Sequence, residues 1–439
     1  EYHHMEEFRR GGDLLNRPPH EANVAEQTEH SINGGGLKFD YFSPDEKHRF
    51  NVFASAQHIN RDSYYGGGQD LNAYGNTTDL NWMAGSQYVY SFAKCIFMPS
   101  DLTAGIEFNQ DKLEDNMWGY NRTVDQKVNI GSAFFQNEWK NEHWGFLIGG
   151  RLDKHNLIDH VIFSPRANLR YNPTENINLR FSYSSGFRAP QAFDEDLHVE
   201  NVGGNVAMVE LADNLKEERS QSLSASADIY HRFGAFQVNF LVEGFYTKLS
   251  DVFALTDGET VDGILTRTRY NAPGARVMGL TLEGKMAYLT KFQLQAGVTL
   301  QQSHYSEPHV WNPDAPAVKK MMRTPNTYGY FTATYTPIKP LSIALSGTYT
   351  GSMLVPHEPV PGFLEKPITV NTKDFFDIGL KAAYDFKLYK SMNLQVNAGI
   401  QNIFNAYQND FDKGADRDSG YIYGPSLPRS FFAGVKISY

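Results

Sequence analysis

The chain has 439 residues and a formal net charge of -10, which bounds it to two or three soluble domains or one large barrel and leaves no basic footprint for nucleic acid. Its one cysteine, Cys95, excludes an internal disulfide, a CxxC redox pair and a thiolate metal site, and reads as a turn or buried thiol. No run approaches the ~18 apolar residues of a membrane helix, yet Phe, Tyr and Trp make up 14% of a chain that is hydrophilic on average. Rings confined to one face of many strands reconcile the two, as in a membrane β-barrel with a polar lumen.

Along the chain, short and long connections alternate. The short ones are 43–48, 93–101, 140–143, 172–176, 232–234, 289–291, 336–340 and 387–391, rich in the Pro, Asn, Asp, Gly and Lys of tight turns. Between them lie long segments at 61–78, 113–127, 155–162, 186–215, 251–268, 304–324, 351–373 and 405–427. Short turns on one side and long loops on the other describe an outer-membrane barrel with periplasmic turns. The intervening runs alternate with period two. In "LRFSYSS" Leu179, Phe181 and Tyr183 oppose Arg180, Ser182 and Ser184, and "FQVNFLVEGFY" is looser because Leu241 and Phe245 fall among Gln237, Asn239 and Glu243. "FQLQAGVTLQ" sets Phe292, Leu294, Ala296, Val298 and Leu300 against Gln293, Gln295, Gly297, Thr299 and Gln301. "LSIALSGTYT", "MNLQVNAGIQ" and the closing "RSFFAGVKISY" repeat the pattern. Runs of about ten residues exceed the five or six of ordinary soluble strands and match the ~9–11 of a tilted bilayer crossing.

Eight hairpins and a final strand make seventeen strands. An odd number is foreign to single-chain bacterial barrels, so residues 1–34 are read as the remainder of an extracellular loop and 35–439 as the barrel. The fold class expected is all-β, a transmembrane antiparallel β-barrel with about seventeen strands present, truncated at its N-terminal side.

One hairpin carries a particular word. "SPRANLRYNPTENINLRFSYSSGFRAPQAFDEDL" ends its second strand in Gly-Phe-Arg-Ala-Pro, and in this it resembles the mid-barrel segment of TonB-dependent outer-membrane receptors. "ADNLKEERSQSLSASADIY" resembles the next landmark of that family, Asn-Pro-Asp-Leu-Lys-Pro-Glu, with its prolines replaced at Asp213 and Glu217. "YNAPGARVMGLTLEGKMAY" is similar to the Asn-x-x-x-Ala-x-x-x-Gly-x-Glu strand, "LQVNAGIQNIFNAYQNDF" to the Asn-Ile-Phe-Asn box, and "GPSLPRSFFAGVKISY" to the closing strand. The resemblance runs from about residue 130 to 439, less sharply over 35–130. It implies a 22-stranded barrel in the bacterial outer membrane, filled by an N-terminal plug and energised by TonB, importing cobalamin, a ferric siderophore or haem. Neither plug nor TonB box has a counterpart here. The implied partners are outer-membrane lipids, TonB through the missing plug and a small-molecule nutrient chelate, with a capping surface lipoprotein left open. The competing reading is a passive porin of about eighteen strands.

Candidate ligand contacts are the ring-bearing long segments: Tyr64, Tyr65 and Tyr74 among glycines, Trp118 and Tyr120 in "DNMWGYNR", and Trp311 in "EPHVWNPD". Rings flanked by glycine and polar groups suit a large, partly apolar ligand; a membrane-interface belt wants the same residues. Haem receptors of the family carry a histidine between the two landmarks, the interval in which His198 stands, and neutral imidazole is an iron ligand. Arg188 is expected to pair with Asp194, Glu195 or Asp196. His3, His4, His20 and His30 match no closed metal site. Asp410, Asp412, Asp416 and Asp418 do not keep the spacing of a calcium loop and read as a charged, flexible loop. No nucleophile–base pair or phosphate-cradling loop appears, so no enzyme activity, catalytic residue, metal or cofactor is assigned.

Overall fold

The computed structural model describes every residue except 121, 191–205, 262–263, 390, 415–416 and 419. Strands β1 (Tyr2–Gly12), β2 (Val24–Phe42), β3 (His48–Gly67), β4 (Tyr74–Cys95), β5 (Met98–Met117), β6 (Arg122–Lys140), β7 (Trp144–His155), β8 (Ile162–Thr174) and β9 (Ile177–Arg188) follow one another as antiparallel neighbours. Past β10 (Val206–Leu211) come β11 (Glu218–Phe233) and β12 (Phe236–Ser250), then β13 (Val252–Val261), β14 (Ile264–Ala272), β15 (Ala275–Tyr288) and β16 (Phe292–His309). The chain ends with β17 (Val318–Lys320), β18 (Thr327–Ile338), β19 (Leu341–Thr350), β20 (Leu354–His357), β21 (Ile368–Asn371), β22 (Phe375–Tyr389), β23 (Met392–Gln401) and β24 (Ser430–Ser438). Nineteen strands share one sheet; the three-residue β17 is a side piece on β16, which leaves eighteen in the ladder. β10, β14 and β13 form a separate small sheet, and β20 pairs with β21, both within the long connections.

Two expectations are corrected. Residues 1–34, read as loop, hold β1 and the first half of β2, paired from Tyr2↔Gly35 to Gly12↔Ala25. The ladder therefore has eighteen strands rather than seventeen, and the parity argument lapses. The segments 61–78 and 113–127, also read as loops, are mostly the outer ends of β3 to β6.

Directly opposed residues share a face, so the register shows what each side of the sheet carries. One row runs Leu179, Ala227, Val242, Leu282, Val298. The next residue along gives Arg180, Ser226, Glu243, Thr281, Thr299. On β12 the apolar face is Phe236, Val238, Phe240, Val242, Gly244 and Tyr246; on β15 it is Met278, Leu280, Leu282, Gly284, Met286 and Tyr288. About ten residue steps at a rise of ~3.4 Å and a tilt of ~45° make ~24 Å, the height of a barrel's lipid-facing band. The polar face looks into the lumen, where hydroxyls pair across strands, Ser222 with Thr247 at 2.9 Å and Thr281 with Thr299 at 3.0 Å.

The irregular strand β12 has a physical reason. Phe245 points to the lumen and covers Gly279 on β15, where any Cβ would lie 2.7 Å from its ring and 2.5 Å from the Leu300 carbonyl oxygen. At the short-turn end rings gather: Trp144 stacks on Tyr171 at 4.2 Å and Phe97 on Trp139 at 5.6 Å, an aromatic girdle. Cys95 closes β4 there, its carbonyl accepting the Trp139 indole N–H at 3.0 Å.

The face assignment predicts that Leu282→Arg, in the middle of the apolar band, costs roughly 2–4 kcal/mol of folding stability, whereas Thr281→Arg beside it costs about 1 kcal/mol or less. Urea titration of the protein in lipid vesicles, followed by the electrophoretic mobility of the folded form, measures the difference.

Candidate functional site

Strands β2 to β6 are 19, 20, 22, 20 and 19 residues long, about twice what a bilayer crossing needs. Their upper halves stand above the lipid as a wall with water on both sides. Polar groups on the lumen side of that wall face whatever enters the barrel from outside.

The register assembles one such group. Arg61 on β3 lies opposite Thr77 on β4, which lies opposite Asp115 on β5. Asp115 is 1% exposed. It accepts Thr77 Oγ1 at 2.6 Å and Arg122 Nη1 at 2.9 Å, and Arg61 Nη2 stands 3.6 Å away while donating to Thr77 Oγ1 at 2.7 Å. One carboxylate thus holds two guanidinium groups. Each of these keeps a buried Nε–H without a hydrogen-bond partner among the described residues. Tyr65 is buried on the same side of β3. Burial raises its hydroxyl pKa and the Arg61 charge opposes the rise.

Tyr64 points the other way. It is 1% exposed, packed with Ala22, Ala25 and Ala73 and edge-on to Tyr74 at 4.9 Å. Its hydroxyl donates to the Asp70 carbonyl at 2.7 Å, and burial pushes its pKa up to about 12. His20 reaches the Tyr74 hydroxyl at 2.7 Å from the 3-10 turn Pro19–Glu21. This is a clasp between two outer connections, and Tyr64 is its centre, so the expectation of an exposed Tyr64 and Tyr65 on a loop gives way to two buried rings on a strand.

Further round the rim, Glu217, standing where the resembling landmark has its second proline, is 3% exposed. It accepts Arg219 Nε at 2.7 Å and meets His160 Nε2 at 3.1 Å. Burial pushes the Glu217 carboxyl up, but a backbone hydrogen bond and the side chains of Arg219 and His160 outweigh it and hold the carboxyl below its usual range. Arg188, from the Gly-Phe-Arg-Ala-Pro word, stands 5.6 Å above the Phe253 ring, and Arg269 is 5.9 Å from that ring. The acids expected to pair with Arg188 lie outside the described residues, as does His198.

The last long connections fold on each other. His357 stacks on Tyr421 at 3.8 Å and contacts Asp412 Oδ2 at 2.9 Å. Tyr423 donates to Asp410 at 2.6 Å, and burial followed by that carboxylate raises its pKa far above the ordinary phenol value. Asp418 accepts the Glu358 and Gly420 amides, both at 2.8 Å. The acidic run, expected as a flexible charged loop, is tied by these bonds; Asp416 lies outside the described residues. Among the described residues no group of three or more His, Cys, Asp or Glu could hold a metal. The N-terminal histidines divide between strands, His4 contacting Asn33 and His30 lying 3.8 Å from Glu7.

The remaining ring candidates are spread along the rim. Trp118 opens the 3-10 turn Trp118–Tyr120 and is 64% exposed. Trp311 is half-buried, with its indole N–H buried and lacking a partner. Sequence reasoning missed Arg61, Asp115 and Arg122, and the available signal was charge inside runs that otherwise read as strand.

Residues 9–403 match the family described as TonB dependent receptor-like, beta-barrel. No curated protein matches the chain. Among solved structures, the chain is similar to the siderophore receptor PirA from Acinetobacter baumannii, with 14% identity and a TM-score of 0.69 over 93% of this chain and 62% of that one. It is similar to the ferric-catecholate import receptor Fiu from Escherichia coli, with 14% identity and a TM-score of 0.67 over 97% and 65%. The outer membrane transporter YddB from Escherichia coli gives 8% identity and a TM-score of 0.71 over 99% and 65%. The chain spans less than two thirds of each of these.

Replacing Asp115 by Ala leaves two largely buried guanidinium groups facing each other without their carboxylate. The expected cost is roughly 3 kcal/mol, localised to the outer ends of β3 to β6. Hydrogen exchange should show faster opening around residues 61–65, 75–79 and 113–124, with the lipid-spanning halves of the same strands unchanged.

Proposed function

Because the chain belongs to the TonB-dependent receptor-like β-barrel family, we propose that it forms the wall and outer vestibule of an active importer of a ferric siderophore. Membership places it in the bacterial outer membrane. The observation that carries the reading is the raised wall of β2 to β6, which lifts polar and aromatic groups above the lipid around the mouth of the lumen. A pore for diffusion has no use for such a vestibule; a receptor that must catch a scarce solute does. The printed functions of PirA and Fiu, a siderophore receptor and a ferric-catecholate importer, support an iron chelate as cargo. Cobalamin and haem have no such support, and the haem reading rested on His198.

In this reading Trp118 and Trp311 offer ring faces to the chelate, and Arg61 and Arg122 supply donors to an anionic complex, as guanidinium groups do for carboxylates and phosphates. Tyr65 lines the same side, and Tyr120 and His198 remain proposed contacts. Tyr64 instead supports the wall. The reaction is transfer, so no bond in the cargo is made or broken by these groups. Coupling to TonB would pass through a plug domain seated in the lumen that these strands surround. A capping surface lipoprotein remains compatible with the reading.

The eighteen strands of the ladder coincide with the porin alternative, and the two readings separate in one experiment. The full-length protein, barrel and plug together, is titrated with a ferric tris-catecholate and with ferric citrate while tryptophan fluorescence is followed. Saturable quenching by one chelate is expected. Trp118→Ala and Trp311→Ala should each weaken it about tenfold, with Tyr64→Phe leaving affinity unchanged. Absence of saturable binding, together with steady ion conductance in planar bilayers, would favour the porin.

A further inference from the structure

Above the lipid-facing band, the outer face of β11 to β17 changes character within one register row. On β12 the apolar series Phe236 to Tyr246 is followed by Lys248; on β15 the series Tyr288 to Met278 is followed by Arg276. Lys248 lies opposite Arg276, Arg276 opposite His304 on β16, and His304 opposite Lys320 on β17. Gln221 on β11 completes the row. Four adjacent strands at ~4.8 Å spacing therefore place three permanent cations and one histidine along an arc of ~15 Å.

Among the described residues these cations are unmatched. Lys248 and Arg276 are exposed, and no ion pair or side-chain hydrogen bond involves Lys248, Arg276 or Lys320 among the described residues. On the outer face of β5, by contrast, Lys112 pairs with Glu114 at 2.6 Å. On β12, β15 and β16 the outward positions beside the row are Ser250, Gly274, Gln302 and Ser306, none of them acidic, and the one acid on the β11 flank, Glu217, is already paired with Arg219.

Directly below the row the band is hollowed. Ala225 and Gly244 are directly opposed two outward rows below, and a Cβ on Gly244 would meet open space. Phe181, Leu223, Tyr246, Met278, Leu280 and Leu300 surround them, forming with the neighbouring backbone a groove of about 870 Å³. A groove open to hydrocarbon is filled by acyl chains, and a cationic row at its upper end lies where headgroups lie. Charge complementarity fixes the occupant's chemistry: an apolar tail below and several negative charges above, within the span of four strands.

We propose that this face holds one phosphorylated glycolipid of the outer leaflet, with its acyl chains in the groove and its phosphates against Lys248, Arg276 and Lys320. Gln221 and His304 add polar contacts at the flanks. The site is on the outside of the barrel, separate from the lumen and vestibule, and it depends on the chain's residence in the outer membrane rather than on any cargo.

The test uses the full-length protein purified in detergent and offered lipid A, with bound lipid counted by native mass spectrometry. Wild type should retain lipid A, and the triple variant Lys248→Gln, Arg276→Gln, Lys320→Gln should bind it roughly a hundredfold more weakly, at about fivefold for each surface cation. Fully dephosphorylated lipid A should bind wild type as poorly as lipid A binds the variant. Unchanged heat-dependent electrophoretic mobility shows that the variant folds, and unchanged ferric-chelate affinity separates this site from the vestibule. Equal retention of lipid A by wild type and variant would overturn the proposal. So would displacement by millimolar inorganic phosphate, the mark of a site for a free anion, or equal binding of phosphatidylglycerol.

Discussion

Hydrocarbon offers no partner to a backbone N–H or C=O, and everything else in this molecule follows from that constraint. It forces each crossing segment to bond its neighbours along its whole length, which is why the pairing from β1 to β24 is an antiparallel meander without crossover through the membrane band. It allows breaks in the ladder only where water or protein takes over. The extra sheets, β10–β14–β13 and β20–β21, accordingly lie in the long connections, beyond the band. The same constraint sets chemistry by face, since side chains that meet lipid must be apolar while their neighbours one step along need not be.

That division gives the molecule three zones with different physics. In the band, outward residues are apolar and inward ones carry hydroxyls, amides and charges. At the short-turn edge the rings of Trp144, Tyr171, Phe97 and Trp139 mark the interface. Above the band the wall of β2 to β6 is wet on both sides, so buried charge there needs its own compensation. Asp115 provides it for Arg61 and Arg122, and Glu217 does so for Arg219 at the rim. Residues named by family resemblance serve similar ends: Asn402 accepts the Ala406 amide at 2.8 Å and donates to the Leu427 carbonyl at 2.7 Å, closing the loop between β23 and β24.

The sequence was legible where lipid imposes alternation and illegible where it does not. β16, β19, β23 and β24 announce themselves because every second residue is apolar. β1 does not, since "YHHMEEFRRGG" puts His, Glu and Arg on both faces and alternates nothing. The outer ends of β3 and β4 hide for the same reason: "RDSYYGGG" and "YGNTTD" look like loop, and only the ladder from Asn60↔Thr78 to Tyr64↔Tyr74 makes them strand. The site suffers most, because Arg61 and Asp115 are joined by register through Thr77 rather than by proximity in the chain. Residue type pointed to rings as ligand contacts, but which face a ring takes decides its role, and Tyr64 and Tyr65 take opposite ones.

In the function proposed for them, these strands surround an energised import path for a ferric chelate. Uptake of radiolabelled iron by cells carrying the full-length protein, with and without the proton gradient of the inner membrane, tests it most directly. Iron from the bound chelate should accumulate, and accumulation should stop when the gradient is collapsed or TonB is deleted. Uptake that persists unchanged without gradient and without TonB, rising linearly with chelate concentration, would contradict it.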